Sequence, residues 1–320
     1  MKSSDTKAIK LSVVVSVYNE EAVLGQFYKE LTKTLSALDC EAEILFVDDG
    51  SCDGSRKILD SLADGSDTVK AIHFTRNFGH EAAMIAGIDH ATGDAVVCMD
   101  ADLQNPPAEL RRMLDMYRQG KDIVTMMRKE RADGGWTKHI TSKMFYWLMN
   151  RLSDTRMVPE ASDFFLLSRR VCDVLRSNYR ERSRLLRGMV QTVGFDTATL
   201  SYSAPARAAG ESHYSLTRLA KLALTSMASF SKAPLRLGIY AGLVFVLLSG
   251  VLLIYSLVMW MIDKPIGGYT TLIIFLSAFA GILLTVVGII GYYVGLILDE
   301  VKARPIYLVE SITGGGEKQE

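Results

Sequence analysis

The stretch Ala95-Val96-Val97-Cys98-Met99-Asp100-Ala101-Asp102-Leu103-Gln104-Asn105-Pro106-Pro107 decides the fold. Ala95–Met99 is an unbroken apolar run, the pattern of a strand buried on both faces of a parallel sheet. It runs into two aspartates one residue apart. Residues two apart in an extended backbone point the same way, so Asp100, Asp102 and Gln104 are expected on one side. Asn105 suits an N-cap, and a proline suits the first turn of the helix predicted over Pro106–Gln119. Two carboxylates and an amide oxygen therefore gather at the carboxyl end of a central strand, where open α/β sheets bind ligands. Such oxygens suit a hard divalent cation that could also bridge phosphates. An isolated Asp-X-Asp also reads as a solvated turn, and the strand-end position is what favours the ligand site.

Outward from this strand the chain alternates. Strands are predicted at Leu11–Val17, Glu43–Val47, Val69–Phe74 and Asp122–Met126, with helical patterns over Glu20–Leu38, after Asp53 to about Ala63, and near His80–Ala91. Short connections between alternating elements imply right-handed crossovers and a mainly parallel, doubly wound α/β sheet. A further apolar strand is expected around Asp163–Leu167 and another at Thr197–Tyr202, with a helix over Lys138–Leu152. Neither G-x-G-x-x-G nor G-x-x-x-x-G-K-[ST] occurs, which removes the dinucleotide and Walker-type readings.

Composition then changes along the chain. Leu237–Ile262 carries no charged residue, and neither does Pro265–Leu298. Each run exceeds the ~20 residues a helix needs to cross a hydrocarbon core, so two membrane spans are expected rather than two buried core helices. Lys232 and Arg236 precede the first run, and Lys302 and Arg304 follow the second, which sets both flanks and the amino-terminal domain in the cytoplasm. Ser215–Ser231 has apolar residues at helical spacing, with Arg218 and Lys221 off that stripe. It reads as an amphipathic helix in the headgroup region or a surface helix on the soluble core. The expected organisation is a soluble domain over 1–212, an interfacial helix over 213–234, a two-span hairpin over 235–298 and a tail over 299–320. Within that tail, Gly314–Gly316 and the polar end are expected to be disordered.

With 36 basic and 36 acidic residues the net charge is zero, so no basic bias points to nucleic acid. Cys40, Cys52, Cys98 and Cys172 have no CxxC spacing and read as reduced thiols.

Ser16-Val17-Tyr18-Asn19-Glu20-Glu21 and Val47-Asp48-Asp49-Gly50-Ser51 close the first two strands. Adjacent parallel strands would bring these ends to Asp100, where carboxylates can accept from a base or ribose and Tyr18 can stack. Asp49-Gly50 read alone is simply a turn.

These stretches, together with Arg76-Asn77-Phe78-Gly79, Asp100-Ala101-Asp102-Leu103-Gln104 and Gly210-Glu211-Ser212-His213-Tyr214-Ser215 ahead of two spans, resemble the family 2 glycosyltransferases acting on polyprenyl phosphates. Dolichyl-phosphate mannose synthases and bacterial undecaprenyl-phosphate glucosyltransferases are its familiar members. The resemblance runs from about Leu11 to Glu310 and is closest to the bacterial two-span members. It implies a Rossmann-like GT-A catalytic domain, a UDP- or GDP-hexose donor, Mg2+ or Mn2+, a polyprenyl phosphate acceptor, a homo-oligomer and residence in the bacterial inner membrane. By the same resemblance, Asp100, Asp102 and Gln104 hold the metal and diphosphate, and Tyr18, Glu20 and Asp49 contact the nucleoside. Asp163 takes the position of the base, and Asp102 serves the catalytic step through the cation. Arg128, Arg131 and Arg207 bind the acceptor phosphate, although Ala204 stands where relatives place a first arginine.

A phosphate oxygen with a second pKa near 6 is largely ionised at neutral pH, so Asp163 would position rather than deprotonate. A cap or a salt bridge to Arg169 or Arg170 is its structural alternative. The expected activity is inverting transfer of a hexose, most simply glucose from UDP-glucose, to undecaprenyl phosphate. Transfer from GDP-mannose, or a non-catalytic nucleotide-binding membrane scaffold, stands as the alternative. A processive polysaccharide synthase would carry Gln-X-X-Arg-Trp, whereas Gln191 here leads into Thr192-Val193-Gly194.

Overall fold

The computed structural model describes residues 9–128, 161–182, 186–203, 233–262 and 268–315. The chain divides into two compact units, one formed by 1–143, 157–215 and 305–320, the other by 144–156 and 216–304. Arg131, Arg207, the helix expected over Lys138–Leu152 and the amphipathic stretch ahead of the first span lie outside the described residues.

In the first unit the elements run β1 (Lys10–Val17), α1 (Glu21–Leu35), β2 (Glu41–Asp48), α2 (Ser55–Asp64), β3 (Val69–Phe74), α3 (His80–His90) and β4 (Ala95–Asp100). There follow a 3-10 turn at Pro107–Glu109, α4 (Leu110–Arg118), β5 (Ile123–Arg128), β6 (Ala161–Ser168), α5 (Arg169–Asn178), α6 (Leu186–Thr192) and β7 (Thr197–Tyr202). The sheet has eight strands in the order β7-β5-β6-β4-β1-β2-β3-β8, where β8 is Val309–Gly314. Strands β1, β2, β3, β4, β5 and β7 run one way; β6 and β8 oppose them.

The apolar runs of β1 and β4 are buried end to end because both faces are covered. Alternation then sorts their side chains. Val13, Val15 and Val97 meet Leu24, Phe27 and Leu31 of α1 on one face. Val14, Val96 and Cys98 meet α3 and Val171 and Leu175 of α5 on the other. Helix α3 lies very close to β1: a Cβ at Gly87 would fall 2.0 Å from Val14 Cγ1.

Three expectations change. The backbone does not stay extended past Asp100, since Leu103 has φ +61°; the residues after it form a turn, so alternation along a strand cannot align Asp102 and Gln104. Asn105 caps no helix, because its side chain is buried and turned toward Asp100 and Tyr202. The stretch expected as a tail returns to the sheet: Val309–Gly314 pairs antiparallel with β3. Thr313 donates to Asp60 (2.7 Å) and Arg56 pairs with Glu310 (2.7 Å). These contacts, together with Tyr307 stacked on Phe74 at 5.2 Å, give that end of the chain a packed surface that a glycine-rich composition does not announce.

The second unit contains α7 (Ala233–Met261) and α8 (Tyr269–Val301). Gly238–Met259 and Phe275–Val301 have mean hydropathies of 2.5 and 2.3, and among the described residues neither span is buried. By length and composition both are able to cross a membrane. They pack antiparallel, with Phe245 against Phe275 (5.7 Å) and Phe279 (6.0 Å).

Candidate active site

Parallel strands place their carboxyl ends on one edge of the sheet, so the ends of β1, β2, β4, β5 and β7 share an edge. The reversed β6 adds its amino-terminal end to the same edge. The β4–β6 register pairs Cys98 with Phe165, and continuing it by two residues sets Asp163 across from Asp100.

Asp100 is tied into this edge from both sides. Ser16, its neighbour in register on β1, donates to Asp100 Oδ1 at 2.9 Å, and the Asn105 amide faces Oδ2 at 3.4 Å. Burial raises the Asp100 carboxyl above the usual range. The positive field of His80 opposes this, and the charges of Asp102 and Asp163 add to it.

His80, the first residue of α3, stands between the two acids. Its Nδ1 lies 2.9 Å from Ser16 Oγ and 3.4 Å from Asp100 Oδ1, and its Nε2 lies 3.9 Å from Asp163 Oδ2. Burial pushes the imidazole down, but Asp100, Asp163, Glu81 and Asp49 together outweigh it and raise it. No spacing motif in the sequence marks His80. Its signal was topological: a histidine directly after Gly79, at the strand–helix junction on the ligand-binding edge.

The buried Oδ1 of Asp163 has no hydrogen-bond partner among the described residues. The salt-bridge alternative does not hold, since Arg170 pairs with Asp122 and Arg169 with Asp173. Among the described residues that oxygen therefore faces the site without a donor, and a buried carboxylate oxygen is costly unless a partner completes it.

Asp49 is 3% exposed, and its carboxylate accepts from Phe78 N (2.6 Å) and Gly79 N (2.9 Å). It therefore shapes the Arg76–Gly79 loop. Gly50 lets that loop approach: it has φ +70°, and a Cβ there would lie 2.5 Å from the Arg76 carbonyl carbon. Tyr18 is 47% exposed at the end of β1, free to lie along a planar ligand. Glu20 immediately precedes α1, its backbone amide donating to Ser55 Oγ at 2.9 Å. Among the predicted phosphate ligands, Arg128 closes β5 and donates to Gln104 Oε1 at 2.9 Å. That amide oxygen is thereby engaged by a cation.

Do these residues fit a divalent cation? No group of three His, Cys, Asp or Glu among the described residues could hold one unaided. Magnesium-type ions are commonly held by one or two carboxylates together with substrate phosphates. Asp102, half-buried in the turn with its Oδ1 accepting from the Gln104 backbone N–H (3.0 Å), and Asp100 beside it fit that pattern.

Comparison with known proteins agrees with this geometry. The model of the family "Glycosyl transferase family 2" matches residues 12–176. The chain is 37% identical over 313 residues to the uncharacterized glycosyltransferase YkcC of Bacillus subtilis, covering 97% of this chain and 96% of that one. It is 36% identical over 309 residues to the bactoprenol glucosyl transferase of Shigella phage SfX, covering 95% and 99%. In fold it is similar to mannosyl-3-phosphoglycerate synthase from Rubrobacter xylanophilus (TM-score 0.50, 17% identity, 68% of this chain and 72% of that one). The mainly parallel mixed sheet is that of GT-A domains, followed here by two apolar helices. By the match of its family model and its near full-length relatives, the chain belongs to glycosyl transferase family 2.

Proposed function

We propose that this protein transfers a hexose, most simply glucose from UDP-glucose, to a polyprenyl phosphate at the cytoplasmic face of the bacterial inner membrane, with inversion at the sugar carbon. The observation that carries this is the meeting of Asp100, His80 and Asp163 at one sheet edge, in a chain that also has two membrane-length apolar helices. The likeness to proteins named bactoprenol glucosyl transferase supports glucose and the lipid acceptor.

In this scheme Tyr18 lies along the base, and Asp49 acts through the loop it holds, beside Glu20. Asp102 and Asp100 would hold a divalent cation, Mg2+ or Mn2+, and such an ion would supply positive charge to offset the negative charge developing on the nucleoside diphosphate. Arg128 supplies a fixed guanidinium for phosphate oxygens, and Arg131 and Arg207 would extend that basic surface. A phosphate oxygen of the lipid attacks the anomeric carbon from the face opposite the diphosphate. The new C–O bond forms as the old one breaks, and the electron pair leaves on the diphosphate. That oxygen is already ionised at neutral pH, so Asp163 and His80 orient the donor and shape the field rather than remove a proton. Holding the domain beside the lipid confines the search for acceptor to a surface.

The test incubates membranes containing the full chain with a panel of radiolabelled nucleotide sugars. Label is expected in a polyprenyl phosphate hexose from UDP-glucose, lost on adding EDTA, restored by Mn2+ or Mg2+, and absent in Asp102→Ala. Label from GDP-mannose alone would replace the donor, and no lipid label from any donor would overturn the assignment.

A further inference from the structure

Asn105 is 4% exposed, and a buried amide needs partners at both ends. Its carbonyl accepts from the Tyr202 hydroxyl at 3.1 Å. That bond fixes which way the amide points and turns its NH2 toward Asp100 Oδ2, 3.4 Å away. With the amide oxygen taken by Tyr202, the NH2 is the group left to donate to the Asp100 carboxyl. Tyr202 is 3% exposed at the end of β7, with its ring edge-on to Phe164 at 5.8 Å, so the hydroxyl has little freedom. On the opposite side, Ser16 from β1 holds Asp100 Oδ1 at 2.9 Å. Rotation of the Asp100 carboxylate is therefore opposed at both oxygens, at Oδ1 from the neighbouring strand β1 and at Oδ2 from the turn that follows β4.

We propose that Asn105 and Tyr202 are positioning residues for the cation–diphosphate site: the Tyr202 hydroxyl sets the Asn105 amide, and the amide sets the plane of the Asp100 carboxylate beside Asp102. This rests on the nucleotide-sugar reading and deepens it. Neither side chain is open to substrate, so both act through Asp100. Outer partners of metal-binding carboxylates typically change affinity or activity roughly 10–100-fold when removed.

The experiment uses the full chain in detergent, titrated calorimetrically with UDP and with GDP in the presence of Mn2+, alongside transfer kinetics. Asn105→Ala is expected to weaken nucleotide binding and raise the donor KM by roughly 10–100-fold, with the acceptor KM unchanged. Tyr202→Phe keeps the ring against Phe164 and gives a smaller loss in the same direction. The double variant should bind no more weakly than Asn105→Ala, because the hydroxyl then has no amide to orient. A residue that only stabilised the fold would lower the melting temperature without separating donor from acceptor KM. Donor binding in Asn105→Ala within about twofold of wild type, or effects of the two variants that multiply, would overturn the proposal alone. A wild-type chain that binds neither nucleotide would overturn the functional reading, and this one with it.

Discussion

Glu81 offers a direct measurement of how strongly acids crowd this edge. It follows His80 in the first turn of α3, and its Oε2 accepts from the Leu186 amide at 2.7 Å. Burial first, and the Asp163 charge second, push its carboxyl from the ordinary 4.5 up to about 7. The folded protein holds this proton more tightly than the unfolded chain. The resulting stabilisation is complete below pH 4.5 and disappears as the pH rises through 7. At ~1.36 kcal/mol per pH unit, the loss amounts to about 3 kcal/mol. Glu81→Gln keeps an oxygen for Leu186 and has nothing to ionise. Wild type and variant should therefore melt together near pH 4.5 and separate as the pH rises. By pH 8 the variant should melt ~6–12 °C higher, the shift expected of about 3 kcal/mol in a domain of this size. Thermal unfolding of the full chain in detergent, followed by intrinsic fluorescence from pH 4.5 to 8, reads the difference. A constant offset across that range, or a wild type that is the more stable at pH 8, would show that Glu81 is not held protonated by its surroundings.

Two further substitutions test other parts of the edge. Arg128→Ala should chiefly raise the KM for lipid phosphate in steady-state transfer assays; a rise confined to the donor would reassign this guanidinium to the diphosphate, in keeping with its 2.9 Å contact to Gln104. Gly50→Ala sets a side chain at φ +70° against the backbone of Arg76 and Asn77. It should cost at least about 1 kcal/mol from the left-handed conformation alone and weaken nucleotide binding as the loop is displaced. Unchanged melting and unchanged affinity would mean that the close approach of this loop does not matter.

How much of this was legible without coordinates follows from the range of each signal. Apolar runs ending in Asp48-Asp49 and Asp100-Ala101-Asp102 announce strands and their ends because burial acts on consecutive residues. The two charge-free runs, which exceed the length of a span, are equally local. Asp49 shows the limit. Its turn position was evident, but its grip on the Phe78 and Gly79 amides depends on a loop about 30 residues away. The proximity of His80 to Asp163 likewise required a packed structure, since neither residue has a spacing motif linking it to the other.

By itself, then, the sequence determined the class of sheet, the apolar helices and the acids that crowd one edge, since each is written in a run of neighbours whose burial or charge can be read directly. Only tertiary structure decided that β6 runs backwards, bringing Asp163 to Asp100, and that residues 309–314 return as an edge strand. An apolar strand looks the same in either direction. Its direction and partner are chosen by hydrogen-bond register and by the chain path that closes it, which are properties of residues distant in sequence.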